Sequence, residues 1–266
     1  MTSGIDPEVN ARAIDEAAQE AREGGAAMLF TPEMAGLLDR KRERAARRVV
    51  PEAQSELLAS LRETARRERL MLHIGSLAMA REDGRWANRA FVIDDRGEIV
   101  ARYDKMHMFD VDLADGESWR ESRTYAAGDE VITVETPIGR LGLSICYDLR
   151  FPALFDALGQ KQCDAIAVPA AFTVPTGEAH WHVMLRARAI EASAWVIAAA
   201  QVGEHEDGRK TYGHSLVVDP WGRVVLDMGG DAPGLGFADI DPALMQEARA
   251  QVPSLANRRA IPTSRP

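Results

Sequence analysis

Three side chains of different chemistry stand where apolar, strand-like runs end: the Glu33 carboxyl after Ala26 to Phe30, the Lys105 ammonium after Ile99 to Tyr103, and the Cys146 thiol after Leu141 to Ile145. A thiol is mostly protonated near neutrality. A cysteine that attacks an acyl carbon therefore needs a base to take its proton and positive charge to favour the thiolate. Glu33 can be the base and Lys105 the charge. A helix is expected directly after Cys146, at Tyr147-Asp148-Leu149-Arg150-Phe151-Pro152, and its N–H groups and positive dipole end would serve both a thiolate and an oxyanion. Taken singly, each residue has a plainer reading: Glu33 as a cap, Lys105 as a surface charge, Cys146 as a small buried hydrophobe.

The supply of such groups is narrow. Of 32 basic residues only Lys41, Lys105, Lys161 and Lys210 are lysines, and arginine cannot replace a compact, tunable ammonium. The two cysteines, Cys146 and Cys163, are too few for a disulfide scaffold and lack the paired spacing of a structural zinc site. Cys163 lies between a predicted helix and a predicted strand and reads as packing.

The elements that must position these groups alternate between the two periods. Asp6-Pro7-Glu8 offers a cap, a first-turn proline and an acidic first turn before Ile14, Ala17, Ala18 and Ala21 at helical spacing, with Gly24-Gly25 as the stop. Ala26 to Phe30 then reads as a strand buried on both faces. Leu57, Leu58, Leu61 and Ala65 mark a second helix, and Leu70 to Leu77 a second strand. Hairpins follow at Ala90 to Tyr103 and Ile132 to Ile145, turning at Asp95-Arg96-Gly97 and Thr136-Pro137-Ile138-Gly139. Ala165 to Val168, a helical pattern around Glu178 to Ala194, Val196 to Ala200, Ser215 to Val218 and Val224 to Leu226 continue the mixture. No repeat or low-complexity linker divides the chain, so residues 1–266 read as one α/β domain.

Composition excludes several classes. At 46% hydrophobic and 27% charged residues, neither disorder nor a fibrous repeat fits. No apolar run approaches membrane-spanning length, and the first residues lack the pattern of a signal peptide, which makes the cytoplasm the default. A formal net charge of −9 opposes non-specific attraction to nucleic acid or an anionic membrane. A small-molecule partner is the expectation that remains.

The words around the three groups carry a resemblance. Phe30-Thr31-Pro32-Glu33, Tyr103-Asp104-Lys105-Met106-His107-Met108-Phe109-Asp110 and Gly142-Leu143-Ser144-Ile145-Cys146-Tyr147-Asp148-Leu149-Arg150-Phe151-Pro152 resemble, in order, the three signatures of the nitrilase, or carbon–nitrogen hydrolase, superfamily. Ala179-His180-Trp181, Leu185 to Glu191, Tyr212-Gly213-His214-Ser215 and Val218-Asp219-Pro220-Trp221-Gly222 are similar to the branch of amidases that acts on deaminated glutathione. The ω-amidases of 2-oxoglutaramate-like compounds share most of these words. Other carbon–nitrogen hydrolases, such as nitrilases or carbamoylases, and a non-catalytic oligomeric binding protein on the same fold are the further alternatives.

The resemblance implies a four-layer αββα sandwich, pairing into a homodimer or larger homo-oligomer and working with no organic cofactor and no metal. It assigns Glu33 as general base, Lys105 as the family lysine, Cys146 as nucleophile and Glu121 as a second glutamate that positions substrate and Lys105. The backbone N–H of Tyr147 joins Lys105 at the oxyanion. The family pattern also has an apolar strand just ahead of the segment matching Thr2-Ser3-Gly4-Ile5-Asp6-Pro7, where this sequence has only Met1. The expectation is a sandwich lacking that strand and less stable for it.

Three further features have weaker readings. The run Arg40 to Arg48 could attract a carboxylate-bearing substrate but reads first as a solvated helix of mixed charge. His180 and His182 could ligate metal, yet no further Cys or His stands nearby at a ligand spacing, so a hydrogen-bonded structural His180 is favoured. Trp181 and Trp195 are expected in the core or at a subunit interface.

Overall fold

Asp6 caps the first helix by accepting from the Glu8 N–H, and Pro7 supplies the fixed φ of a first turn. The computed structural model describes residues 1–112, 116 and 118–260. Along it, α1 (Pro7–Glu23) leads to β1 (Met28–Phe30), and α2 (Arg42–Ala45) and α3 (Glu56–Glu68) lead to β2 (Met71–Ala80), β3 (Trp86–Ile93) and β4 (Ile99–Asp104). A small hairpin, β5 (Asp110–Asp112) with β6 (Ser118–Arg120), precedes β7 (Thr133–Thr136), β8 (Gly139–Leu143), α4 (Pro152–Gln160) and β9 (Ala165–Ala167). Then come α5 (Val174–Ala192), β10 (Trp195–Ala198), β11 (Val202–Glu204), β12 (Lys210–Tyr212), β13 (Leu216–Val218), β14 (Val224–Asp227) and α6 (Pro242–Gln251).

The strands build two main sheets, in the orders β1-β2-β3-β4 and β14-β13-β10-β9-β8-β7. Parallel pairs occupy β1/β2, β8/β9 and β9/β10, while hairpin neighbours run antiparallel. Apolar clusters place the layers. Ile14, Ala18, Leu58 and Leu61 of α1 and α3 pack on Leu29, Leu72 and Phe91 of the first sheet. Leu154, Leu158, Trp181 and Leu185 of α4 and α5 pack on Leu141, Ile166 and Val196 of the second. Val92, Ala101 and Tyr103 from the first sheet join that same second cluster, so the sheets lie face to face between helices. This is the αββα sandwich. Trp181 and Trp195 are both core residues, and Cys163 is a buried packing residue whose thiol burial pushes up to about 12.

β1 is an edge of its sheet. Beside it runs a groove of about 480 Å³ whose walls include Phe30, Ile197, Leu216, Leu226, Leu235 and Phe237. Met1 and Thr2 turn instead towards β11, where the Val202 N–H donates to the Met1 carbonyl and the Thr2 hydroxyl to that of Val202.

One expectation is corrected here. Directly after Cys146 the chain forms a 3-10 turn over Cys146–Arg150, and the α-helix begins only at Pro152. The proline ring fixes that start and removes an N–H that could not have bonded inside the helix. What adjoins the thiol is therefore a single 3-10 turn rather than the end of an α-helical dipole.

Candidate active site

Glu33 leaves β1 through Thr31 and Pro32, and a glycine makes its position possible. A Cβ at Gly75 of β2 would lie 2.1 Å from the Thr31 carbonyl oxygen and 2.5 Å from that of Pro32, so only the bare backbone allows this approach. Gly75 N–H donates to the Thr31 hydroxyl and Met34 N–H to the Ser76 hydroxyl, tying the loop to β2. From the second sheet side, the Gln201 amide donates to the Glu33 carbonyl at 3.0 Å.

The end of β4 delivers Lys105 to this carboxylate although 72 positions separate the two in sequence. Lys105 Nζ donates to Glu33 Oε1 at 3.0 Å and to Glu121 Oε2 at 2.8 Å. Asn88 of β3 repeats the bridge, its Nδ2 donating to Glu33 Oε1 at 2.9 Å and to Glu121 Oε1 at 3.0 Å. Ala171 N–H reaches Glu33 Oε2 at 3.0 Å, and Phe109 N–H reaches Glu121 Oε2 at 2.7 Å. Lys105 keeps 2% of its surface exposed, so its charge is stabilised by these carboxylates and not by water.

Cys146 completes the group, its thiol set against the Glu33 charge in the same cavity. Its backbone has φ of 48°, a left-handed conformation that only a surrounding framework sustains in a residue with a Cβ. The framework is visible. Cys146 N–H donates to the Pro169 carbonyl at 2.8 Å, and buried Asp148 accepts from Ile145 N–H, the Tyr103 hydroxyl and His107 N–H at 2.7–2.9 Å.

The protonation states follow from burial and charge. Burial alone would raise the Glu33 carboxyl, but the Lys105 charge and hydrogen bonds from Cys146, Lys105 and Asn88 outweigh it and hold the group below its ordinary 4.5. Burial would lower Lys105, yet Glu121 and Glu33 drive it well above its usual value. Burial, then the Glu33 charge, push the Cys146 thiol well up against the opposing pull of Lys105. Lys105 thus acts on the thiol in the direction expected of it, and burial with the Glu33 charge outweighs it. The resting pair is a protonated thiol beside an ionised carboxylate, an arrangement suited to proton transfer during attack rather than before it.

These groups face a cavity of about 340 Å³ lined also by Arg40, Arg150, Arg209 and Trp119. Arg40 and Arg209 lie over the Trp119 ring, 5.4 and 4.8 Å from its centroid. The basic run is exposed at Arg40, Arg42, Arg47 and Arg48 alike, and Arg40 and Arg42 also line the cavity.

Glu33, Lys105, Cys146 and Glu121 are all brought together, and Tyr147 lines the same cavity. Asn88, Asp148 and Arg209 were not singled out by sequence reasoning. A signal existed for Asn88, an amide set among the apolar residues of a buried strand, where a polar group needs partners. His180 and His182 diverge: His180 Nδ1 meets Arg150, whereas His182 Nε2 meets Asp227. In the catalytic cluster the carboxylates already have ammonium and amide donors. Among the described residues, the cluster whose spacing suits a metal ion is His182, His214 and Asp227.

Residues 2–250 match the family described as carbon-nitrogen hydrolase. The chain belongs to that family. It is 43% identical over 208 residues to a deaminated glutathione amidase of Yersinia enterocolitica, covering 77% of this chain and 72% of the relative. Its structure is similar to that of the Caenorhabditis elegans NitFhit protein, with a TM-score of 0.88 and 38% identity over 97% of this chain and 63% of the other. It is also similar to an amidase from Nesterenkonia sp. in which acrylamide has added to the active site cysteine, with a TM-score of 0.79 and 27% identity over 95% of this chain and 94% of that one. As a carbon–nitrogen hydrolase it acts on amides. No helix among the described residues is long and apolar enough to cross a membrane.

Proposed function

We propose that this family member hydrolyses an amide bond of deaminated glutathione, a small molecule bearing carboxylates, to a carboxylic acid and an amine through a thioester on Cys146. One observation carries the reading: a cavity whose lining joins Cys146, Glu33 and Lys105 with Arg40, Arg150 and Arg209. Guanidinium groups pair with carboxylates in a fixed fork, and the named amidase relative supports the choice of substrate.

The steps use residues within hydrogen-bonding reach. Cys146 Sγ attacks the amide carbon while Glu33 takes the thiol proton; the carbonyl π pair moves to oxygen, where Lys105 and the Tyr147 N–H stabilise it. The C–N bond then breaks, and Glu33 returns its proton to the departing nitrogen, which leaves as the free amine. Water enters the vacated space, gives a proton to Glu33 and adds to the thioester carbon. Collapse expels the thiolate, which recovers that proton from Glu33. Glu121 keeps Lys105 in place throughout. The acid product and the free thiol result, with no group outside the chain required.

The test is hydrolysis of deaminated glutathione, 2-oxoglutaramate and simple nitriles at equal concentration, read as the amine fragment from the first and as ammonia from the other two. The highest kcat/KM is expected for deaminated glutathione. Preference for 2-oxoglutaramate would move the substrate assignment, and activity on nitriles alone would overturn it.

A further inference from the structure

The cluster apart from the catalytic cavity joins three parts of the chain. His182 comes from α5, His214 from the turn between β12 and β13, and Asp227 from the end of β14. His182 Nε2 lies 2.9 Å from Asp227 Oδ2, His214 Nδ1 lies 2.9 Å from Asp227 Oδ1, and one ligand atom from each of the three falls within 4.8 Å of the others. We infer that His182, His214 and Asp227 bind a first-row divalent cation, zinc foremost, at a structural site separate from the reacting thiol.

The donor set selects the ion. Two imidazole nitrogens and a carboxylate suit zinc and its neighbours, whereas magnesium and calcium require oxygen. Bonds of about 2.0–2.2 Å in a tetrahedral zinc site put neighbouring ligand atoms about 3.3 Å apart. With Asp227 Oδ2 as the carboxylate ligand, 2.9 Å from His182 Nε2 and 3.2 Å from His214 Nδ1, those two separations need to open by only a few tenths of an ångström, and the two imidazole nitrogens lie within 4.8 Å of each other. Each side chain remains between a quarter and a third exposed, which leaves the fourth position to water.

The surroundings hold the ligands as a metal site requires. Gly229 N–H donates to Asp227 Oδ1 at 2.9 Å, and His214 N–H donates back to the Gly229 carbonyl at 2.7 Å. Trp181 Nε1, next in sequence to His182, donates to the His214 carbonyl at 2.8 Å. The Tyr212 ring stacks on His214 at 4.4 Å, and His214 is fixed at a left-handed φ of 54°. Ligands already held this way lose little freedom when an ion arrives. A hydrogen-bonded His-Asp-His group without an ion is the competing account, and it predicts no change on adding metal.

The site touches the cavity wall only at second hand. Tyr212 N–H donates to the Phe172 carbonyl, and Phe172, Thr173 and Thr176 at the start of α5 line the cavity. A bound ion would fasten α5 to β14 behind that wall without meeting substrate.

The experiment uses metal-stripped full-length protein carrying Cys146→Ala, which removes the reactive thiol as a competing ligand. Calorimetric titration with zinc sulfate should show one equivalent bound. His182→Ala and Asp227→Asn, each added to that background, should weaken binding at least about tenfold. Cobalt(II) should give visible absorption bands of a tetrahedral site that His182→Ala abolishes. For a readout independent of variant folding, the imidazole nitrogen resonances of His182 and His214 should shift on adding zinc to protein with both histidines intact. No saturable binding below about 1 mM, binding undiminished in both variants, or binding that leaves both imidazoles unmoved would each overturn the inference.

Discussion

Around Lys105, two carboxylates are largely buried and already bound to ammonium and amide donors, whereas around Asp227 two imidazoles and a carboxylate stand a quarter to a third exposed. Both clusters gather polar groups from separated parts of the sequence. They differ in where the positive charge comes from. In the first it is tethered to the backbone, and burial amplifies every interaction it makes. In the second it is left to histidine protons or to a cation from solution. A tethered ammonium fits a reaction in which charge appears and disappears at one oxygen; an open nitrogen pair fits a static crosslink.

The sharpest way to break this comparison is at the thiol. Cys146→Ala should lower kcat by about 10⁴-fold or more, while Cys163→Ala should retain turnover, and iodoacetamide should label Cys146 with substrate protecting. Full activity in Cys146→Ala would remove the chemistry from the Lys105 cluster. Next is the tethered charge: Lys105→Arg keeps its sign but not its shape, and a loss of about 10²–10³-fold in kcat is expected. Turnover near that of the parent would show that charge alone suffices.

Acid separates the base from the fold. Because Glu33 sits below 4.5, its ionised form persists as pH drops, and kcat/KM should hold until the pH falls through that lowered value. Stability should decline earlier. His73 is fully buried in β2, and its burial lowers it from 6.5 to about 3. Between those values the unfolded chain takes up a proton that the folded chain refuses, so stability is lost as pH falls, by up to about 1.4 kcal/mol per pH unit. Melting curves from pH 7 to 4 should show this slope, and His73→Phe should flatten it; an unchanged slope would place the acid sensitivity elsewhere. The smallest effect belongs to chelation. EDTA should leave amide hydrolysis within about twofold of the untreated rate while lowering the melting temperature of zinc-loaded protein, and turnover lost to EDTA and restored by zinc would erase the distinction between the clusters.

Much of the catalytic region was legible because each reactive residue ends an apolar run. Leu29-Phe30 before Glu33, the strand before Lys105 and Leu141 to Leu143 before Cys146 are strands in the structure, and the groups project from the strand ends where the two sheets meet. Elements stabilised by few apolar contacts escaped. The β5–β6 and β11–β12 hairpins and α6 carry too many polar residues to show a period, and α5 begins at Val174, four residues before the pattern noted from Glu178. The Asp227 cluster escaped for another reason. Its ligands come from elements 45 positions apart, and nothing local to His182 announces them.

The left-handed backbone of Cys146 has a further consequence for how such a chain can change over time. A residue with a Cβ is disfavoured there by roughly 1–2 kcal/mol, and glycine is not. Cys146→Gly should therefore melt no lower than Cys146→Ala despite its smaller side chain, while being equally inert. Selection for heat resistance and selection for turnover would pull this one codon in opposite directions, and a lineage released from the need for its reaction would be expected to lose the thiol early.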